Sequence, residues 1–241
     1  MAFISSFDPT TLKSILRVSN YWGKANRNKY PLAFSKVLDD LYDWVPCSCD
    51  DQCLCRRQFN CTYHYIRKAD ISFEMAKKYF LSCYVDEKMR ESVSAGTKEG
   101  RGKNAYESIS YFKTRWEKLL PLKTNLLCTE WYDQEFRNIA ESFNANINTI
   151  YKAKWLSLLQ LDTFVAYDTA SVRLLVREYQ GNTYFDLLSA IRDDLINYLT
   201  ANSTSILAFR EYDNLHEYYP TIPITQYRPL GNIIDKLFLT L

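Results

Sequence analysis

Only six glycines and seven prolines interrupt 241 residues. An all-β fold of this length needs many more residues that tolerate tight turns, so a chain this poor in breakers is built from long helices. The apolar spacing agrees. Asp8-Pro9 offers an N-cap followed by proline at the first helical position, ahead of Leu12, Ile15 and Leu16. Phe34, Val37, Leu38 and Leu41 recur at i, i+3, i+4, i+7, and Pro46 is expected to stop that helix. Ser72 can cap a helix carrying Phe73, Ala76, Tyr79, Phe80 and Cys83. Ala105, Ile109, Phe112, Trp116 and Leu119 mark the next. Thr129, Asn148 and Asp168 stand as caps of three more, the last closed by Gly181. Tyr184 to Tyr198, Ile206 to Phe209 and Leu230 to Phe238 complete the helical runs, and prolines 220, 223 and 229 keep the segment between extended.

The expected fold is therefore all-α: a single domain over 1–241, of about eight to ten helices, with an irregular cysteine-rich insert near 46–64. Three of the six glycines fall in the 94–104 loop, which makes it the one internal boundary the sequence suggests. Hydrophobic residues at 47% suffice for a real core, and 19 Tyr, 13 Phe and 5 Trp imply that large rings fill it. No window reaches the ~20 apolar residues of a membrane span. The N-terminal stretch lacks the basic and apolar regions of a signal peptide, so the expected compartment is the cytoplasm, where clustered thiols point to metal or redox chemistry before disulfides.

Cys47-Ser-Cys49, Cys53-Leu-Cys55, Cys61 and His64 put six soft ligands within 18 residues. Zinc takes four thiolate or imidazole donors in a tetrahedron, and a local loop can supply them at small entropic cost. The expected ligands are Cys47, Cys49, Cys53 and Cys55, with Cys61 or His64 as replacements. The Cys-x-Cys pairs differ from the Cys-x2-Cys pairs of common zinc modules, so thiol redox chemistry and plain packing of small apolar side chains stay open as alternatives. Cys83 and Cys128 stand alone among apolar residues and read as core.

The formal charge of +2 exerts no global pull toward nucleic acid. Locally, residues 56 to 103 hold 11 Lys/Arg against 6 Asp/Glu, a surplus of +5, while the rest of the chain carries −3. Lys98, Arg101 and Lys103 of the glycine-containing loop are the candidate phosphate contacts. Gly96 to Lys103 is not a phosphate-binding loop of the Walker type, because five residues separate its glycines and Asn104 replaces the hydroxyl. His64 and His216 are the only histidines, and His216, beside Glu211, Asp213 and Glu217, reads as part of a solvated acidic turn.

Lys152-Ala-Lys154-Trp155-Leu156 precedes Phe164-Val-Ala-Tyr167-Asp168-Thr169-Ala-Ser171-Val172-Arg173. This stretch resembles the helix–hairpin–helix DNA glycosylases, in which a Val-Asp-Thr segment starts a helix, its aspartate supports base excision, and bifunctional members add an upstream lysine. The resemblance covers about 30 residues. It implies Asp168 as the catalytic aspartate, Lys154 or Lys152 as the lysine, and a nucleic acid as substrate. The glycines of the family's hairpin have no counterpart between 144 and 167. The arrangement is also similar to uncharacterised helical bacterial proteins that close on an Arg/Asp helix, a role Arg228, Asp235 and Lys236 would fill. Taken alone, Asp168 is an N-cap contributing about 1 kcal/mol. Two functional expectations follow: a nucleic-acid-associated protein, a divergent base-excision-like enzyme using DNA or RNA, or a non-catalytic protein-interaction module with a structural zinc site.

Overall fold

Asp8 begins the architecture as its sequence position requires. Its carboxylate accepts from the amides of Thr10 and Thr11 at 2.9 and 3.0 Å and from the Thr11 hydroxyl at 2.6 Å, so the helix Pro9–Val18 starts with its free donors satisfied. The computed structural model describes residues 3–18, 30–49, 51, 53–85, 87–96, 102–122, 126–128, 134–141, 149–165, 177–179, 183–213, 215–218, 220 and 222–240. Among these, thirteen α-helices and a short 3-10 turn accompany two β-strands.

The strands amend the all-α expectation. The helix Tyr30–Leu41 ends at Leu41, five residues before Pro46, and the chain passes directly into β1, Tyr42–Pro46. β1 pairs antiparallel with β2, Tyr63–Arg67, in the register Tyr42 to Arg67 through Pro46 to Tyr63. Both strands are rich in aromatic and β-branched residues, which pack well on a pleated surface. Trp44 stacks on Tyr63 with ring centres 5.8 Å apart and meets Tyr65 at 4.7 Å in a tilted arrangement. The sixteen residues between the strands hold most of the cysteines.

Helices build the rest around rings. Trp155, on the helix Thr149–Leu159, is fully buried and stacked against Phe73, Phe80 and Phe112 at 5.5, 4.4 and 5.2 Å. Its indole N–H donates to the Ser108 hydroxyl at 3.1 Å, and that of Trp116 to the Ile71 carbonyl at 2.9 Å, so neither large ring buries an unmet donor. Phe73 and Phe80 come from the helix Phe73–Tyr84, capped by Ser72 as its sequence predicts. Buried side chains from Ile4 to Phe238 form one contiguous cluster.

Three buried carboxylates tie distant segments together. Asp194, within the helix Tyr184–Ala201, accepts from the Phe3, Ile4 and Ser5 amides, the Ser5 hydroxyl and the Tyr179 phenol, and so pins the N-terminal turn. Asp213 lies between Arg228 Nε at 2.7 Å and Lys236 Nζ at 2.5 Å. Asp162 accepts from the Tyr65 amide at 2.6 Å, the Leu230 amide at 2.8 Å and Arg210 at 2.9 Å. It thereby joins β2 to the helices Ile206–Arg210 and Leu230–Thr240. The last helix approaches closely at Gly231, whose amide donates to the Leu161 carbonyl at 3.0 Å. A Cβ there would run into the backbone carbonyl oxygens of Phe164 and Leu161, so glycine is required by space.

Candidate metal centre and its cavity

The hairpin loop is shaped by its own backbone. Cys47 extends the ladder, its amide donating to Thr62 O at 2.8 Å, and the Cys61 amide reaches Cys55 O at 3.0 Å. Between them the single helical turn Leu54–Arg57 sets Cys53 and Cys55 side by side, with sulfurs 3.2 Å apart. Asn60 takes a left-handed backbone that returns the chain to β2, and the buried Phe59 anchors the loop, its carbonyl accepting from the Ile206 amide at 3.0 Å. Arg56 does not face a thiolate. Its guanidinium donates to the Cys49 carbonyl at 2.8 Å and pairs with the exposed Asp51 at 3.5 Å.

The thiols sort into two groups. Cys49, Cys53, Cys55 and Cys128 form the first, and Cys47, Cys61 and His64 the second; in each, all donor atoms lie within 4.8 Å of one another. Cys128, read from the sequence as a core thiol, is half-buried, with its sulfur 2.8 Å from Cys53, 3.6 Å from Cys49 and 3.9 Å from Cys55. It takes the place expected of Cys47, which sits instead with Cys61 and His64. Arg192 fixes that position from the helix Tyr184–Ala201, donating to Leu126 O at 2.8 Å and Cys128 O at 3.0 Å. None of the seven cysteines forms a disulfide.

A tetrahedral ion with bonds of ~2.3 Å to sulfur holds its sulfurs about 3.8 Å apart. Four of the six sulfur separations in the first group run from 2.8 to 3.9 Å and all lie within 4.8 Å, so the four thiols could hold a metal ion. Without a cation the chain does little to ionise them. Burial pushes the Cys47 thiol up, and Cys49 to about 11. Cys55 is raised chiefly by its bond with Cys128, and Cys61 by its bond with Cys55 and by burial. Only Cys53 is lowered: burial pushes its thiol up, but bonds from Cys128 and Cys55 outweigh it. A dication supplies the field the protein lacks, since thiolates are the ligands and metal binding releases their protons.

A cavity of about 560 Å³ opens beside both groups, a size suited to a small ligand. Cys49, Cys128, Cys61 and His64 line it, together with Arg67, Asp162 and Arg210. Arg210 is neutralised by Asp162, whereas Arg67 gives its terminal nitrogens to the carbonyls of Leu159 and Leu120. Among the described residues no carboxylate pairs with Arg67. Four buried polar atoms of lining residues have no hydrogen-bond partner: His64 Nδ1, Tyr65 Oη, Arg67 Nε and Arg210 Nε.

The other residues singled out by sequence lie apart from this site or outside the described residues. Asp168, Lys98 and Arg101 belong to the latter. Lys103 is exposed at the start of the helix Lys103–Lys113. Lys154 is half-buried between the rings of Tyr84 and Tyr151, 5.6 and 5.4 Å from their centres, and donates to Tyr84 O at 3.4 Å. His216 is not engaged by Asp213, which is taken by Arg228 and Lys236; it meets Tyr227 edge-on at 6.2 Å. Cys83 is buried in the core, which pushes its thiol to about 12. Sequence reasoning passed over Arg67, Asp162 and Arg210: Asp162 is a lone charge among apolar residues, while Arg67 and Arg210 each end an apolar stretch beside another charge, Lys68 and Glu211.

Set against protein-family models, curated proteins and solved structures, the chain matches none. No helix among the described residues is long and apolar enough to cross a membrane.

Proposed function

We propose that this chain is a zinc-binding protein in which Cys49, Cys53, Cys55 and Cys128 hold one ion. That ion fastens the hairpin to the helical body and shapes a ligand cavity beside it. The observation that carries this reading is convergence. Two segments far apart in sequence, the hairpin loop carrying Cys49, Cys53 and Cys55 and the 126–128 turn held by Arg192, deliver four sulfurs to one point. Thiols packed merely as small apolar groups have no need to meet. Four soft sulfur donors and no oxygen donor in the group favour zinc over the hard cations, and a four-protein-ligand site is a structural one. The site therefore acts on function through the cavity wall, of which Cys49 and Cys128 are part.

Asp168, Lys98 and Arg101, on which a base-excision-like role rests, lie outside the described residues. The metal-centre reading is the one the geometry supports. Its test is metal and free-thiol content of protein purified without added metal. Zinc bound by the wild type and reduced by one equivalent in Cys128→Ser is the expected result. A zinc content unchanged by that substitution, or seven thiols that all react freely in the native protein, removes the site. An absorption spectrum with sulfur-to-iron bands would replace zinc by an iron–sulfur group.

A further inference from the structure

The second group of donors differs from the first in number and in what it faces. Cys47, Cys61 and His64 supply three ligands within 4.8 Å of one another, not four. Cys61 and His64 line the cavity. His64 Nδ1 is buried and makes no hydrogen bond among the described residues, a group with a lone pair or a proton to satisfy. Three protein ligands plus one open position is the pattern by which zinc sites that bind exogenous ligands differ from closed structural ones. The rest of the cavity complements such a position. Among the described residues Arg67 lacks a carboxylate partner, and the Nε donors of Arg67 and Arg210 have no hydrogen-bond partner. An oxygen-bearing ligand on the metal would share the cavity with these donors.

We propose that Cys47, Cys61 and His64 hold a second metal ion whose fourth position opens to the cavity and takes an oxygen donor: water at rest, and a carboxylate- or phosphate-type oxygen in its place. Two thiolates and a neutral imidazole cancel the charge of a dication, which leaves Arg67 as the cation an anionic ligand would neutralise. The inference stands on donors separate from those of the structural site, and the two fail separately.

Cobalt(II) loading of the full-length chain tests it, because the visible bands of cobalt report coordination number and donor set. Two cobalt ions per chain are expected. Acetate or inorganic phosphate should then alter the d–d bands of one ion and leave the sulfur-rich ion unchanged. His64→Ala and Cys61→Ser should each bind one cobalt and lose the response to both anions, with a helical far-UV spectrum retained. Cys128→Ser should keep the anion-responsive ion and lose the other. A wild-type chain that binds a single cobalt overturns the proposal without reference to any variant. So do two ions whose bands ignore both anions, since a thiolate shared with the first group would then have closed the fourth position. A change with acetate and phosphate alike marks a general oxyanion site, and a response to only one of them assigns the ligand to that class.

Discussion

Two buried polar regions of this molecule handle charge in opposite ways. Around Asp213 the chain supplies both signs of charge: the carboxylate meets Arg228 at 2.7 Å and Lys236 at 2.5 Å, and the three groups are almost wholly shielded from solvent. Around the hairpin the chain supplies only one side of the pairing. Seven soft donors gather in two adjoining groups, and the guanidiniums of Arg56 and Arg192 are turned to backbone carbonyls of the site, those of Cys49 and Cys128. The difference teaches how to tell a structural ion pair from a site. A buried cluster whose opposite charges meet within the chain stabilises or specifies the fold, while a gathering of donors with no opposite charge beside it is where a ligand is to be sought.

The largest effect that separates the regions is removal of the metal. Structural zinc contributes roughly 10–16 kcal/mol of apparent binding energy in small metal-nucleated modules. Here the rings stacked on Trp155 are Phe73, Phe80 and Phe112, none of them from the hairpin, so the loss should be local. Chelation is expected to expose the amides of β1 and β2 to hydrogen exchange while those of Tyr184–Ala201 keep their protection. Equal loss in both regions would mean that the metal supports the whole fold, and equal retention that it supports none of it.

Next in size is Asp213→Asn, which strands two buried cations and should destabilise the chain by about 3–5 kcal/mol in urea denaturation, with metal content unchanged. Its pH signature has a definite sign. Burial pushes the Asp213 carboxyl up, but Arg228 and Lys236 outweigh it and hold the folded-state value below 3.8. Near pH 4 the unfolded chain therefore binds the proton more readily than the folded one. The stabilisation is present at neutral pH and disappears as pH falls through the depressed folded value. Asp213→Asn should flatten that acid limb of the stability curve; an unchanged limb would move the acid sensitivity to other carboxylates.

Much of the helical frame was legible in the sequence because its signals are local. Asp8 and Ser72 cap the helices their positions announce, and the runs from Leu12 to Leu16 and from Tyr184 to Tyr198 are buried on one side. The strands were not, because Val37, Leu38 and Leu41 carry a helical period to the edge of Tyr42, and a five-residue strand is too short to set a period of its own. The cysteines were legible as a cluster but not as a partition. Proximity in sequence put Cys47 beside Cys49, whereas pairing with β2 carries Cys47 toward Cys61 and His64. Cys128 stands 67 residues beyond Cys61, and what brings it in is Arg192, a side chain with no sequence link to either. Asp162 and Arg210 were invisible for the same reason: each is explained only by the partner 48 positions away.

The smallest effect tests whether the two regions are separable. Arg192, which positions Cys128, rides on the helix Tyr184–Ala201, and that helix starts with a capping box. The Thr183 hydroxyl accepts from the Asp186 amide at 3.1 Å, and the Asp186 carboxylate accepts from the Thr183 amide at 3.0 Å. Thr183→Ala removes half of this reciprocal pair and should lower stability by about 1 kcal/mol. Fraying at a helix start is confined to the first turn, and Arg192 lies more than two turns further on. Metal content and the exchange of β1 and β2 amides should therefore match the wild type at every denaturant concentration below the transition. Zinc lost in step with this modest destabilisation would show that the position of Cys128 depends on the whole length of the helix, and that the hairpin and the helical body form one cooperative unit.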